Sequence, residues 1–157
     1  MKAELTRQNA FLQKLVGVWD VTSAPGENGS DYAVWTEIVR SLNGRWVVAE
    51  GEGKMPGGQM AETLMTLGYD QEKGKFIGTW IGSMMDHMWV YEGFLDKLGR
   101  TLMLDTTGPD LENKGRIATY REAITIINEN ERVFTSTVRQ ADGNWKALMV
   151  AKYHRKL

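Results

Sequence analysis

Leu5, Phe11, Leu12, Leu15 and Val16 recur at helical spacing among polar neighbours, so the pattern predicts a short amphipathic helix over residues 4 to 16. Gly17 ends it. Beyond that point the chain reads as strand throughout. Val18–Ser23, Tyr32–Leu42, Arg45–Glu52, Ala61–Tyr69, Lys75–Ile81, Met88–Leu95, Thr101–Thr106, Arg116–Ile127, Val133–Gln140 and Trp145–His154 are rich in β-branched and aromatic residues. Turn signals separate them at Leu42-Asn43-Gly44, Asp70 to Gly74, Asp96 to Gly99, Asn128–Glu131 and Asp142-Gly143. There is no second helical stretch, internal repeat, low-complexity tract or linker, so residues 1–157 are expected to form a single domain.

About ten consecutive strands joined by short turns favour an all-β, antiparallel up-and-down meander that removes its edges by closing into a barrel. A two-sheet sandwich would need longer crossover connections. A barrel of that strand number is wide enough for an internal cavity. Successive connections of a meander alternate between its two ends. Those at Asn43-Gly44, Asp70–Gly74, Asp96–Gly99 and Asn128–Glu131 are short and share one end. Those at Ala24–Ser30, Gly53–Met60, Gly82–His87 and Thr107–Gly115 are mostly longer and share the other, where only Asp142-Gly143 is tight. The helix precedes the first strand and therefore plugs the short-loop end. The opposite end becomes a mouth ringed by loops, where binding residues usually collect.

Composition narrows the possibilities. With 42% apolar and 25% charged residues in 157, the chain can bury a core without staples. A net charge of −1 leaves no electrostatic footprint for nucleic acid or for an anionic membrane surface. The absence of cysteine excludes disulfides, thiol catalysis and cysteine-based zinc sites. Polar residues interrupt Met1 to Val16, so no signal peptide is expected, no later segment is apolar enough to span a bilayer, and a cytoplasmic protein is the expectation. Gly 17 signals frequent turns and bends, and Trp 6 with Met 9 supplies large or adaptable apolar side chains that must be buried somewhere.

Gly17-Val18-Trp19, opening the first strand after a short helix, resembles the Gly-x-Trp signature of lipocalins and the wider calycin superfamily. The resemblance implies that Trp19 fills the closed end and is covered by a basic residue from the last strand. Arg155 is the candidate, with a cation–π geometry. More specifically, the chain resembles a bacterial domain-of-unknown-function family of calycin-like barrels. The likeness is carried by Leu12–Trp19, Arg45–Gly53, Met55-Pro56-Gly57-Gly58, Met65–Tyr69 and Gly78–Gly93. It implies the fold and no substrate. Fatty-acid-binding proteins and nitrobindin-type haem barrels are more distant relatives at the level of fold, and analogy of that kind does not transfer function.

His87 is the sharpest chemical candidate. It sits where a mouth loop meets a strand, and alternation sets His87, Trp89 and Tyr91 on one face. Were that face internal, it would offer an imidazole, an indole N–H and a phenol along one wall, with Met84, Met85 and Met88 beside them as soft apolar surface. The plainer reading is a histidine bonded to a loop carbonyl and a tryptophan that packs the core. His154 is the second of two histidines and falls near the closed end, so a shared zinc site is excluded, although haem needs only one histidine. Glu50 and Glu52 share a face, as do Trp35 and Glu37, and such acids are far more often solvated or paired than catalytic. Arg121 and Glu122 point to opposite faces, so one is internal. An internal Arg121 would suit a ligand carboxylate, and a buried Arg–Glu pair is the equal alternative. Gly82-Ser83-Met84 lacks the nucleophile-elbow pattern, and no helix follows Gly57-Gly58 to make a phosphate loop.

The leading expectation is a barrel that binds a small apolar or amphipathic molecule. Trp80, Met84, Met85, His87, Trp89 and Tyr91 would form its wall, and Arg121 its anchor. The alternatives are an enzyme using His87 as general acid or base, a haem-binding barrel, and a fully packed structural or interaction protein. No recognisable catalytic motif is present, which leans against an enzyme. The sequence names no cofactor and no metal, and it leaves oligomeric state open, a homodimer included.

Overall fold

The computed structural model describes residues 5–25, 33–55 and 57–157. The expected helix start at residue 4, the strand start at Tyr32, most of the loop Ala24–Ser30, and Pro56 lie outside them. One helix, α1 (Arg7–Gln13), precedes ten strands: β1 (Gly17–Pro25), β2 (Ala33–Leu42), β3 (Trp46–Lys54), β4 (Met60–Asp70), β5 (Lys75–Gly82), β6 (Trp89–Leu95), β7 (Thr101–Pro109), β8 (Ile117–Asn128), β9 (Glu131–Arg139) and β10 (Trp145–Arg155). Each strand pairs antiparallel with its sequence neighbours, and β1 pairs with β10, closing the barrel.

α1 is shorter than its hydrophobic pattern. Thr6 caps its first turn: its hydroxyl accepts from the Asn9 N–H, and the Asn9 side chain accepts in return from the Thr6 N–H at 2.8 Å. After Gln13 the backbone tightens, with Leu15 N–H donating to Leu12 and Val16 N–H to Gln13. The turn swings Leu15 inward and feeds the chain into β1. Leu15 and Val16 thus satisfy the helical period without being helical.

The connections 43–45, 71–74, 96–100 and 129–130 lie at the same end as α1, and 55–59, 83–88, 110–116 and 140–144 at the other. The tightest signal, Asn43-Gly44, has φ of 51° and 80° and is closed by Arg45 N–H donating to Leu42. Those are the left-handed conformations a two-residue hairpin turn demands.

The α1 end is solid. Phe11, Leu12 and Leu15 are buried against the barrel with Trp19, Val39, Val47, Leu67, Phe76, Leu102, Leu104 and Ile124. Trp19 is 1% exposed, and its indole N–H donates to the Leu15 carbonyl at 2.9 Å. The Arg155 guanidinium lies over that ring at 4.3 Å and donates to the carbonyls of Lys14, Val16 and Glu129. Arg155 thereby ties the last strand to the helix-to-strand turn while covering the indole. Gly17, at φ 141°, is the residue such packing needs, because a Cβ there would run into the same guanidinium.

Candidate functional site

Strand alternation decides which side chains meet inside the barrel. Trp35 and Glu37 of β2, Met65 of β4, Trp80 of β5, Tyr91 of β6, Leu104 of β7, Glu122 of β8, Phe134 and Ser136 of β9, and Met149 and Tyr153 of β10 all point inward. Trp19, Leu67, Leu102 and Tyr91 are fully buried, as are Trp89, Thr106, Tyr120 and Val138 toward the looped end, whereas Trp35, Glu37, Met65, Trp80, Glu122, Phe134, Ser136, Met149 and Tyr153 are only half-buried. Inward groups in the middle of a closed sheet keep accessible surface only where unfilled space adjoins them. The interior is therefore packed against α1 and left incompletely filled around this half-buried belt.

Two polar groups stand in that space. In the first, Arg132 is 3% exposed and donates to Glu37 at 2.9 Å, Tyr153 OH donates to the other Glu37 oxygen at 3.2 Å, and the guanidinium lies 3.8 Å from the Tyr153 ring centroid and 4.7 Å from that of Trp19. Charge is neutralised within this cluster, and Arg132 Nε is left without a protein partner among the described residues. Burial, with the neighbouring Glu37 carboxylate, pushes the Tyr153 hydroxyl well above the usual phenol range.

In the second, Tyr91 reaches across β7 and donates to Glu122 Oε2 at 3.0 Å. Removal from water pushes the Glu122 carboxyl up to about 7, and the Tyr91 hydrogen bond only partly opposes this. Tyr91 itself is raised far above its ordinary value, by burial first and then by the adjacent carboxylate. The second Glu122 oxygen accepts no hydrogen bond among the described residues.

Arg121 is not the internal member of its pair. It faces outward from β8, where it holds Asp105 through two hydrogen bonds of 2.7 and 3.2 Å and lies 5.1 Å from the Trp145 ring centroid. The phase of β8 is set by Tyr120 and Ile124, whose burial turns every even-numbered position inward. A carboxylate anchor at Arg121 is thereby withdrawn, and so is a buried Arg–Glu pair made by Arg121, because its guanidinium lies on the outer face with Asp105. Glu50 and Glu52 likewise point outward and are exposed.

At the rim, Trp89 is buried, with its indole N–H directed at Met85 Sδ (3.1 Å) and its ring edge-on to Tyr120 and to His87, centroids 5.1 and 4.6 Å away. Met84 packs beside Trp80 and Gly82. His87 Nε2 is buried without a protein partner among the described residues and faces Gly108 of β7, where even a methyl group would stand 2.8 Å from it. A porphyrin iron needs a bonding position on a ring nitrogen with open space beyond it. This one is closed off, so the rim as arranged does not fit haem through Nε2. On the outside, a groove of about 750 Å3 runs over Ile38, Leu64 and Ile81 to Met85, His87 and Met88. His154 faces outward near the α1 end and is exposed.

Arg132 and Tyr153 were not singled out from sequence, and Glu37 was weighed only as one of several acids expected to be solvated or paired. Alternation about the apolar neighbours Val39, Phe134 and Ala151 would have marked all three as inward.

A closed ten-stranded meander with a helix-plugged end and a Gly-x-Trp entry covered by arginine defines a calycin-like β-barrel. Residues 4–155 match the family model described as "Protein of unknown function (DUF1579)", and the chain belongs to that family. No curated protein matches the chain. Among solved structures it is similar to Rv2717c from M. tuberculosis, with a TM-score of 0.67 and 11% identity over 98% of this chain and 100% of that one. It is also similar to the S-type phycobiliprotein lyase CPES from Guillardia theta (TM-score 0.59, 13% identity, 94% and 92% covered). The structure titled EF1p2_mFAP2b bound to DFHBI is a third (TM-score 0.52, 13% identity, 95% and 99% covered). At such identities the likeness is one of fold. Among the described residues no helix is long and apolar enough to cross a membrane.

Proposed function

We propose that this protein binds a small amphipathic molecule inside the barrel, admitted between the connections 55–59, 83–88, 110–116 and 140–144. The observation that carries the reading is the belt of half-buried inward side chains, Trp35, Met65, Trp80, Glu122, Phe134 and Met149, inside a closed barrel. Trp35, Met65, Trp80, Phe134 and Met149 would supply apolar wall, and the Tyr91–Glu122 pair a polar contact. Trp89, Met84, Met85 and His87 would form the rim through which the ligand passes. A barrel of similar fold, EF1p2_mFAP2b, is bound to DFHBI, which illustrates what such a scaffold can hold. General acid–base work at His87 Nε2 has less support, because that nitrogen is covered by β7.

Thermal denaturation against a panel of amphipathic small molecules tests the reading. A compound present at about ten times its Kd stabilises the native state by about 1.4 kcal/mol, raising Tm by about 3–5 °C. A melting temperature that stays flat across fatty acids, aromatic amines, alcohols and heterocycles contradicts it.

A further inference from the structure

Among the described strand residues, Glu37, Arg132 and Glu122 are directed into the barrel, while Arg155 covers Trp19 at the α1 end and Lys146, opposite Val138 at the looped end, is held by Glu112. Glu37 and Arg132 answer one another, and the guanidinium is further enclosed by the rings of Trp19 and Tyr153. Glu122 has no cationic partner among the described residues. Its flanking neighbours on the sheet are Leu104 of β7 and Ser136 of β9, and its one hydrogen-bond partner among the described residues is the Tyr91 phenol. A carboxyl oxygen that faces the interior without a protein partner is open to a donor entering the barrel.

We propose, building on the binding reading above, that the ligand carries a protonated amine or comparable cationic nitrogen that docks on the free oxygen of Glu122, with its apolar body against Trp35, Met65, Trp80 and Phe134. Tyr91 holds the carboxyl in place by donating to the other oxygen. The polarity of the site is thus the reverse of the one an internal Arg121 would have made. Anionic amphiphiles such as fatty acids are disfavoured, because the internal guanidinium is already engaged and the remaining charge is negative.

The groups facing Glu122 are Tyr91 from β6, Arg132 from β9, Tyr153 from β10 and Glu37 from β2, with His87 at the rim. Both phenols stay protonated across the neutral range because burial raises them. Glu122 is then a group on the ligand-facing wall whose charge changes near neutrality. Amine binding should strengthen as pH rises through that region, and carboxylate binding should weaken.

Isothermal titration with 4-phenylbutylamine, 4-phenylbutanol and 4-phenylbutyrate, at about pH 5.5 and about pH 8, tests this by changing only the head group. The expected result is an amine bound about tenfold or more tighter than the carboxylate at the higher pH, with the preference shrinking at the lower pH. Glu122→Gln should abolish the preference while alcohol binding persists, and Tyr91→Phe, which leaves the carboxyl in place, should retain it in weaker form. Binding of all three probes without amine preference overturns the assignment of Glu122 and leaves the binding reading standing. Binding of none of them overturns both.

Discussion

Glu122 links folding to pH in a way that can be measured without any ligand. An unfolded glutamic acid loses its proton near 4.5, whereas the folded barrel holds it up to about 7. Between those values the native state binds the additional proton, so stability falls as pH rises through the window and levels off above it. The fall is on the order of 3 kcal/mol. Urea denaturation from about pH 4.5 to about pH 8 should show this decline in the wild type and a flatter profile in Glu122→Gln. A wild-type profile that rises steadily over the same interval contradicts the assignment. Arg132 makes a second test. Arg132→Met strands the Glu37 carboxylate and should cost about 3 kcal/mol or more, whereas Arg132→Met combined with Glu37→Gln should recover much of the loss. Additive losses from the two changes would show that the pair is not coupled. Individual residues were the hardest part to read from sequence. Arg121 and Glu122 were recognisable as an inside–outside pair, but adjacent strand residues exchange faces on a shift of one position, and the deciding weight of Tyr120 and Ile124 is spread along β8.

At the scale of elements the sequence was far more legible. Each strand expected from β-branched and aromatic runs is present, and the departures are at its ends: β3 runs on to Lys54, β6 begins at Trp89, and β8 runs from Ile117 to Asn128. Such limits depend on hydrogen bonds to neighbouring strands, which local composition does not encode. α1 was overestimated because Leu15 and Val16 keep the helical period after the backbone has turned. Its function as a plug follows from Phe11, Leu12 and Leu15, all buried against the closed end. Leu12 is 0% exposed, so Leu12→Ala should cost about 2–5 kcal/mol in chemical denaturation. A loss under about 1 kcal/mol would mean that α1 rests on the barrel without sealing it.

For the molecule as a whole, order of strands and closure followed from one inference: consecutive strands with short connections have no edges left once the last meets the first. The asymmetry of the connections likewise separates a plugged end from a looped one in the sequence itself. What the whole-chain pattern did not contain was how completely side chains fill the space between, because that depends on ten strand phases acting together. The central claim is that a small molecule reaches this space, and the nine methionines report on it directly. Met65 and Met149 face inward, whereas Met60 and Met103 are on the outer wall. The decisive measurement is a methionine-methyl NMR titration with the uncharged 4-phenylbutanol. Progressive, saturable shifts of the Met65 and Met149 methyls, with Met60 and Met103 unmoved, are expected. Shifts confined to the outer methyls, or none at any position, would mean that the barrel interior does not take up a ligand.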